Sequence, residues 1–462
     1  MGQINALPMD VVVAASLFLS ETDLHRLLQV NKVVWPRCFA DERVWVERLS
    51  LKYGCTFRYT DHGGTSVYRS CVEDYCYYNP LKLVHSSHQL FNGEICSCLS
   101  MFRCGTVFAG GHDGSVYQFK QSVSGLQNER QVTQLCFENA RFRDRDIWVR
   151  AIENINNRIL AVGKGRHLII HHIQDDSPVC ASQTNNVHDT HLLVAHNGAI
   201  HDIKSFGNCN CVTTSFDGTS KLWDLNQHTC VGEFLGHQKQ IYSVATCHEK
   251  HLLLSASYDH RINVYDTRLD NHHPIISFDH GRPAWYMKPK TLQDISDLNV
   301  FLSSCSDGKI REWDLRSNRS SPIVEYVNDF NDCPCNSFDI SYAKSKLICG
   351  YDDGRLSIFD MENQLLTFTK KTTSRYIRKV AVLSLMGGKI SKYLYGTNDG
   401  TVGVVNDCNA SYAIEPCAEI TQVCSGVRAL GICSNTVRGK SEIVYGGTNG
   451  EVGFIQPVPV HL

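Results

Sequence analysis

From about residue 80 onward, apolar and polar positions follow one repeated scheme. A short apolar run leads into a tight turn, and a second run with alternating apolar and polar positions follows. The stretches GGHDGSVYQFK, SFDGTSKLWDL, SYDHRINVYDT, CSDGKIREWDL, GYDDGRLSIFDM, GTNDGTVGVVND and GTNGEVGFIQPV carry it, with a divergent copy, GKGRHLIIHHI, between the first two. Alternation predicts half-buried strands, and Asp-Gly-type dipeptides between them predict hairpin turns. The turn residues fall near 113, 165, 217, 259, 307, 353, 399 and 449, a spacing of 42–52 residues. That period is the signature of propeller blades. The expectation is a mainly β, eight-bladed ring, or a seven-bladed one if the divergent second copy is an insertion. The last copy ends without an outer strand, and PLKLVHSSH (80–88) has no other partner. It is expected to supply that strand and close the ring, which removes open edges.

The first 49 residues follow a helical period instead. Pro8 suits a first helical turn. Ser20 with Asp23 forms a capping pattern, and Leu24, Leu27, Leu28 and Val30 give one apolar face. Trp45 and Leu49 lie four apart on a third short helix. The run Val11–Leu19 is about half of the ~20 residues a spanning helix needs. It is preceded by Asp10 without Lys or Arg and followed by SETD, which does not fit a secretory signal. The expected organisation is a small all-α module over 1–49, a helical linker over 50–79 and a propeller over 80–462.

The N-terminal segment resembles the F-box. Leu7-Pro8, Asp10, Asp23-Leu24, Val30, Trp35 and Trp45 match that family's pattern in order and spacing, whereas Ala14-Ala15-Ser16 is smaller than its usual bulky region. The resemblance implies docking to the Skp-type adaptor of a cullin ubiquitin ligase, through Leu7, Pro8, Leu24, Val30 and Trp35. The repeats resemble the WD-repeat family. His196, Ser215, Asp217 and Trp223 in the third copy fit its buried structural tetrad. The fourth copy offers His237, Ser257 and Asp259 with Tyr265 for Trp, and the fifth His280, Asp307 and Trp313 with Cys305 for Ser. His, Ser and Asp also make up hydrolase triads, but repetition of the set argues against a unique nucleophile.

Members of that family bind through residues flanking the first apolar residue of each inner strand. Here those strands align as WVRAI, AIHDI, QIYSV, AWYMK, YIRKV and GVRAL. The expected substrate-contacting residues are Trp148, Arg150, Tyr242, Trp285, Tyr376, Arg378 and Arg428. Arg166 lies beside the divergent turn, His201, Gln240 and Asn336 are further exposed positions, and Arg143 and Arg145 lie in a preceding loop. Guanidinium forks suit phosphate or carboxylate, and aromatics offer rigid contact area, so the partner is a protein segment, phosphorylated or unmodified.

Composition narrows the classes. A net charge of -2 gives no global basic field, so neither nucleic acid nor membrane is an expected partner. The 21 cysteines include three Cys-x-Cys pairs, but nothing in their spacing makes two pairs converge as zinc requires. They are expected to be buried free thiols in a reducing compartment, cytoplasmic or nuclear. No cofactor, metal or catalytic residue is expected. The expected function is substrate recognition in a cullin-based (SCF-type) ubiquitin ligase. The alternative is a WD-repeat scaffold for complex assembly.

Overall fold

The computed structural model describes residues 83–457 apart from the segments 103–104, 122–129, 136–146, 174–189, 270–271, 292–297, 318–320, 329–332, 373–375, 386–389, 407–415, 421–422 and 436–439. The helical module, with Leu7, Pro8, Leu24, Val30 and Trp35, and the linker lie outside the described residues, as do Arg143 and Arg145.

Eight four-stranded antiparallel sheets form the blades of a propeller. The strand β1 (Leu83–Gln89) precedes the first blade. Blade one is β2 (Cys96–Met101), β3 (Val107–Gly111), β4 (Val116–Gln121) and β5 (Arg130–Leu135). Blade two, the divergent copy, is a full blade of β6 (Val149–Ile155), β7 (Ile159–Lys164), β8 (His167–His172) and β9 (Thr190–Val194). Blade three is β10 (Ile200–Phe206), β11 (Asn210–Ser215), β12 (Ser220–Asp224) and β13 (Thr229–Phe234). Blade four is β14 (Ile241–Cys247), β15 (Leu252–Ser257), β16 (Arg261–Asp266) and β17 (Ile276–Asp279). Blade five is β18 (Ala284–Pro289), β19 (Val300–Cys305), β20 (Ile310–Asp314) and β21 (Val324–Tyr326). Blade six is β22 (Cys335–Ser341), β23 (Lys346–Tyr351), β24 (Arg355–Asp360) and β25 (Leu365–Lys371). Blade seven is β26 (Ile377–Leu385), β27 (Ile390–Thr397), β28 (Val402–Asn406) and β29 (Pro416–Ile420). Blade eight combines β30 (Val427–Asn435), β31 (Lys440–Gly447) and β32 (Glu451–Pro457) with β1, which pairs antiparallel to β32 from Leu83↔Pro457 to Gln89↔Glu451.

The turn chemistry explains the repeated Asp-Gly. Asp113, Asp217, Asp259, Asp307, Asp353 and Asp399 each accept the backbone N–H two residues on, at 2.8–3.2 Å. Asn449 does the same at 3.4 Å. The carboxylate mimics a backbone turn and leaves the next residue left-handed. That residue is glycine except in blade four, where His260 adopts φ 72°. Blade two has Gly165 and no acid, which is why its sequence looks divergent while its backbone does not.

Packing between blades uses small residues at one recurring place. A Cβ at Gly110, Gly163, Gly350, Gly396 or Gly446 would come within 2.5–2.8 Å of the first side chain of the next blade's inner strand: Val149, Ile200, Ile377, Val427 or Cys96. The inner strands therefore approach closely, and buried clusters run from one blade into the next. In all eight inner strands a β-bulge follows that first buried residue. The residue skipped by the ladder is Ser97, Arg150, His201, Tyr242, Trp285, Asn336, Arg378 or Arg428. A bulge re-aims a side chain that a regular ladder would hold flat. The fold thus sets eight side chains at equivalent places around the mouth of the ring.

Candidate partner-docking rim and channel

Buried polar chains anchor the loops that lead into this mouth. In blade three, Trp223 Nε1 donates to Thr213 Oγ1 at 2.9 Å, and the Thr213 hydroxyl meets His196 Nε2 at 2.8 Å. His196 Nδ1 lies 3.1 Å from Asp217 Oδ2, which also accepts the Asn197 N–H at 2.8 Å. Burial alone would raise the Asp217 carboxyl, but hydrogen bonds from His196 and Thr219 outweigh it and hold it well below the usual carboxylate range. This corrects the sequence assignment of Ser215. Its hydroxyl accepts the Asp217 N–H at 3.1 Å and forms part of the turn, while Thr213, two residues earlier on the same strand face, joins Trp to His.

The same shift holds in the next two blades. Ser255 rather than Ser257 meets His237 Nε2 at 2.8 Å, with Asp259 on Nδ1 at 2.9 Å. In blade five Ser303 rather than Cys305 links Trp313 and His280, at 2.8 and 2.7 Å. There Asp307 is turned away from His280 and bound by Arg311, through Nη2 at 2.6 Å and Nη1 at 3.3 Å. Burial, and secondarily Arg311, lowers the His280 imidazole to about 4. Replacing Thr213 by Val removes the acceptor of the Trp223 N–H and the hydroxyl facing His196, both buried. The expected loss is about 2–4 kcal/mol, against about 1 kcal/mol for Ser215→Ala, read from urea unfolding midpoints. Equal effects would return the tetrad role to Ser215.

The rim is chemically lopsided. On blades one to four, aromatic rings run in sequence. Trp148 stacks on His112 at 4.1 Å with 4° between planes. The Arg150 guanidinium lies 4.6 Å from the Trp148 ring and 5.4 Å from Phe216. Phe216 stacks on His201 at 5.1 Å, and His201 meets Tyr242 at 4.9 Å. Tyr242 continues to Tyr258, over which Lys239 sits at 5.3 Å. Trp148 and Tyr258 are each 41% exposed. Blades seven and eight instead bring cations together. Arg378 lies 4.9 Å over Tyr376 and donates to Asn398 Oδ1 at 3.4 Å. Arg428 is lowered by burial and by the neighbouring Arg378.

Beneath the rim the inner strands enclose a cavity of about 910 Å³, with Arg150, Tyr242, Trp285 and Arg428 on its wall. Arg166 is not on that wall. It sits in the β7–β8 turn, where its carbonyl accepts the Ala195 and His196 N–H groups. Sequence reading missed Lys204, Lys288 and Lys379, which line the cavity deeper in. Lys204 reaches Asp202 at 3.3 Å and Glu153 at 3.7 Å, and Lys288 reaches Asp339 at 2.6 Å. Burial would lower the Lys204 ammonium, but Asp202 and Glu153 outweigh it and raise it. Their only sequence signal is position: Lys204 and Lys288 occupy the same place in their inner strands, four residues after the first buried one. The cysteines of the described residues are free thiols, and burial raises those of Cys96, Cys98 and Cys211.

Blade architecture, turn acids and His–Ser/Thr–Trp chains together define a WD-repeat β-propeller. The family profile for the WD domain, G-beta repeat, matches residues 228–266. The chain is similar to the yeast (Saccharomyces cerevisiae) U3 small nucleolar RNA-associated protein 15, at 25% identity over 225 residues covering 47% of this chain and 40% of that protein. It is similar to the ribosome biogenesis protein WDR12 homolog of Drosophila mojavensis at 25% over 168 residues, 36% of this chain and 38% of the relative. A Denticleless protein homolog of Danio rerio matches at 31% over 202 residues, 36% of this chain and 31% of the relative. These matches thus span two fifths or less of each relative's length. A chain in the crystal structure of a mitotic checkpoint complex superposes with TM-score 0.51 at 16% identity, over 67% of this chain and 86% of that one, which bears on the fold alone.

Proposed function

We propose that this protein is a non-catalytic scaffold that holds protein partners across the mouth of its propeller. The observation that carries the reading is the ring of bulged positions, which aims differing side chains at one opening: rings on blades three to five (His201, Tyr242 and Trp285), cations on blades seven, eight and two (Arg378, Arg428 and Arg150). An extended segment with an aromatic or aliphatic end and an acidic or phosphorylated end fits such a rim. Rings offer rigid contact area and guanidinium forks take oxyanions. Burial speaks against the His–Ser/Thr–Asp sets as nucleophilic centres: Thr213, Ser255 and Ser303 are fully buried, and the hydroxyls of Thr213 and Ser303 also accept an indole N–H. The relatives named for ribosome biogenesis and for a nucleolar RNA favour an assembly role and a nuclear address.

The test is capture of partners by the tagged full chain, compared with Arg150→Glu/Arg378→Glu/Arg428→Glu. Partners retained by the wild type are expected to fall at least tenfold in the variant, with an unchanged circular dichroism spectrum. Undiminished capture would overturn the rim. A second reading rests on the F-box resemblance of residues 7–49: the scaffold serves as the substrate receptor of a cullin ligase. It requires a Skp-type adaptor to co-purify with the wild type and to be lost with Leu7→Ala/Pro8→Ala. A folded wild type that brings down no adaptor leaves the plain scaffold.

A further inference from the structure

We propose that the channel contains an anion-binding site centred on Lys379 and Arg428, which takes a compact phosphate-bearing anion below the rim. The site goes beyond partner docking and needs no docked protein.

The cavity wall carries five cations, Arg150, Lys204, Lys288, Lys379 and Arg428, but two carboxylates, Asp202 and Asp339. Counting Glu153 behind Lys204 still leaves two positive charges in excess. Both wall carboxylates are fully committed. Asp202 accepts from the Ile203 and Val244 N–H groups and pairs with Lys204. Asp339 accepts from the Ile340 and Val382 N–H groups and pairs with Lys288. Lys379 and Arg428 have no ion pair or hydrogen bond among the described residues. The contact of Lys379 is the Tyr286 face, 5.9 Å away.

Two cations without an ion pair on the wall of one cavity cost free energy, and burial lowers Lys379, with Lys288, Lys204 and Arg428 adding to the effect against Asp202. A cavity with low-dielectric walls focuses such a field on whatever enters it. The ligand chemistry follows from the donors. Lys379 is a point charge on a flexible stem, Arg428 is a planar fork suited to two oxygens, and the surplus of two to three charges matches a di- or trianion. A single carboxylate would neutralise too little. The cavity is also roomy enough for such an anion with waters, each taking about 30 Å³.

Inorganic pyrophosphate is the probe, with a phosphoserine tetrapeptide in parallel, on the full chain. Sodium chloride at matched ionic strength is the baseline. Pyrophosphate is expected to bind saturably by calorimetry and to raise the melting temperature beyond that baseline. Lys379→Met should weaken binding at least tenfold. Without anion it should melt no lower than the wild type, because it removes an unpartnered charge. Lys379→Arg should retain the response. Loss in Lys379→Met for either probe supports the site, and the tighter probe tells a free anion from a phosphorylated side chain. Equal responses of wild type and Lys379→Met, or no saturable binding, would overturn it. Lys379→Met should leave the capture of rim partners intact, so failure here is distinguishable from failure of the rim.

Discussion

Arg130→Met is expected to destabilise the ring by about 3–5 kcal/mol. Arg130 opens β5 of blade one and pairs with Glu442 on β31 of blade eight, with side chains 5% and 1% exposed. Its guanidinium also lies 3.9 Å from the Phe454 ring. The pair therefore sits inside the seam where the ring closes, among Phe119, Val444, Phe454 and their neighbours. Burial lowers the Arg130 guanidinium, and the arrangement persists because the two charges face each other. Removing the arginine leaves the Glu442 carboxylate buried without its cation. That cost exceeds the loss of the pair itself, since desolvation consumes most of a buried pair's attraction. The double replacement Arg130→Met/Glu442→Leu should recover most of the loss. Urea unfolding of the two variants beside the wild type checks this. A loss under about 1 kcal/mol for the single variant would show that the seam does not depend on the pair.

Blade five gives the second large effect, in acid. The His280 imidazole is 2% exposed and lowered to about 4 from an ordinary value near 6.5. The folded state therefore holds His280 neutral while the unfolded chain protonates it. The stabilisation is fully present above pH 6.5 and is lost as pH falls toward 4. At its limit it amounts to about 3 kcal/mol. Burial is the larger cause, and Arg311 adds to it: Arg311 has taken Asp307, so the imidazole meets a cation where blades three and four supply a carboxylate. His88 and His201 are lowered by burial too and add slope of the same sign. The measurement is therefore a difference. His280→Gln should be less stable than the wild type at pH 7, and the gap should narrow by about 3 kcal/mol by pH 4. Asp217, Asp259, Asp307 and Asp399 are lowered, so their contribution is lost below that window. A gap constant across it would mean that the folded state does not hold His280 neutral.

The repeat was legible because most of the middle turns combine an acceptor with a left-handed residue, and Asp-Gly announces both; blade two, with Gly165 and no acid, left seven blades open. The closing strand was legible for a different reason: the last copy lacked an outer strand and 80–88 had no other partner, and the pairing runs over Leu83–Gln89. The hydroxyl of the buried chains was misread because Thr213 and Ser215 share a strand face, as do Ser255 with Ser257 and Ser303 with Cys305. A period of two cannot separate such positions. Only the turn does, by drawing the later residue onto the Asp amide or side chain. The channel lysines were illegible for a related reason. Which side chains face the axis depends on a bulge, and a bulge changes facing without leaving a pattern in hydropathy. The arginines of the rim were found through their place beside the first apolar residue, but Arg166 had only proximity to a turn in its favour.

The pairing of β1 with β32 has a meaning in time as well as in space. At roughly 5–20 residues per second of synthesis, β1 waits about 20–70 s for its partner. Its contact with β32 is among the most non-local in the chain, with Gln89 opposite Glu451. Until β32 is made, the growing molecule is an open arc of blades whose terminal strands present unpaired backbone to other chains. Seam variants should therefore betray themselves first as aggregation during expression, and a message truncated before β32 should yield insoluble protein even though most of the blades are encoded.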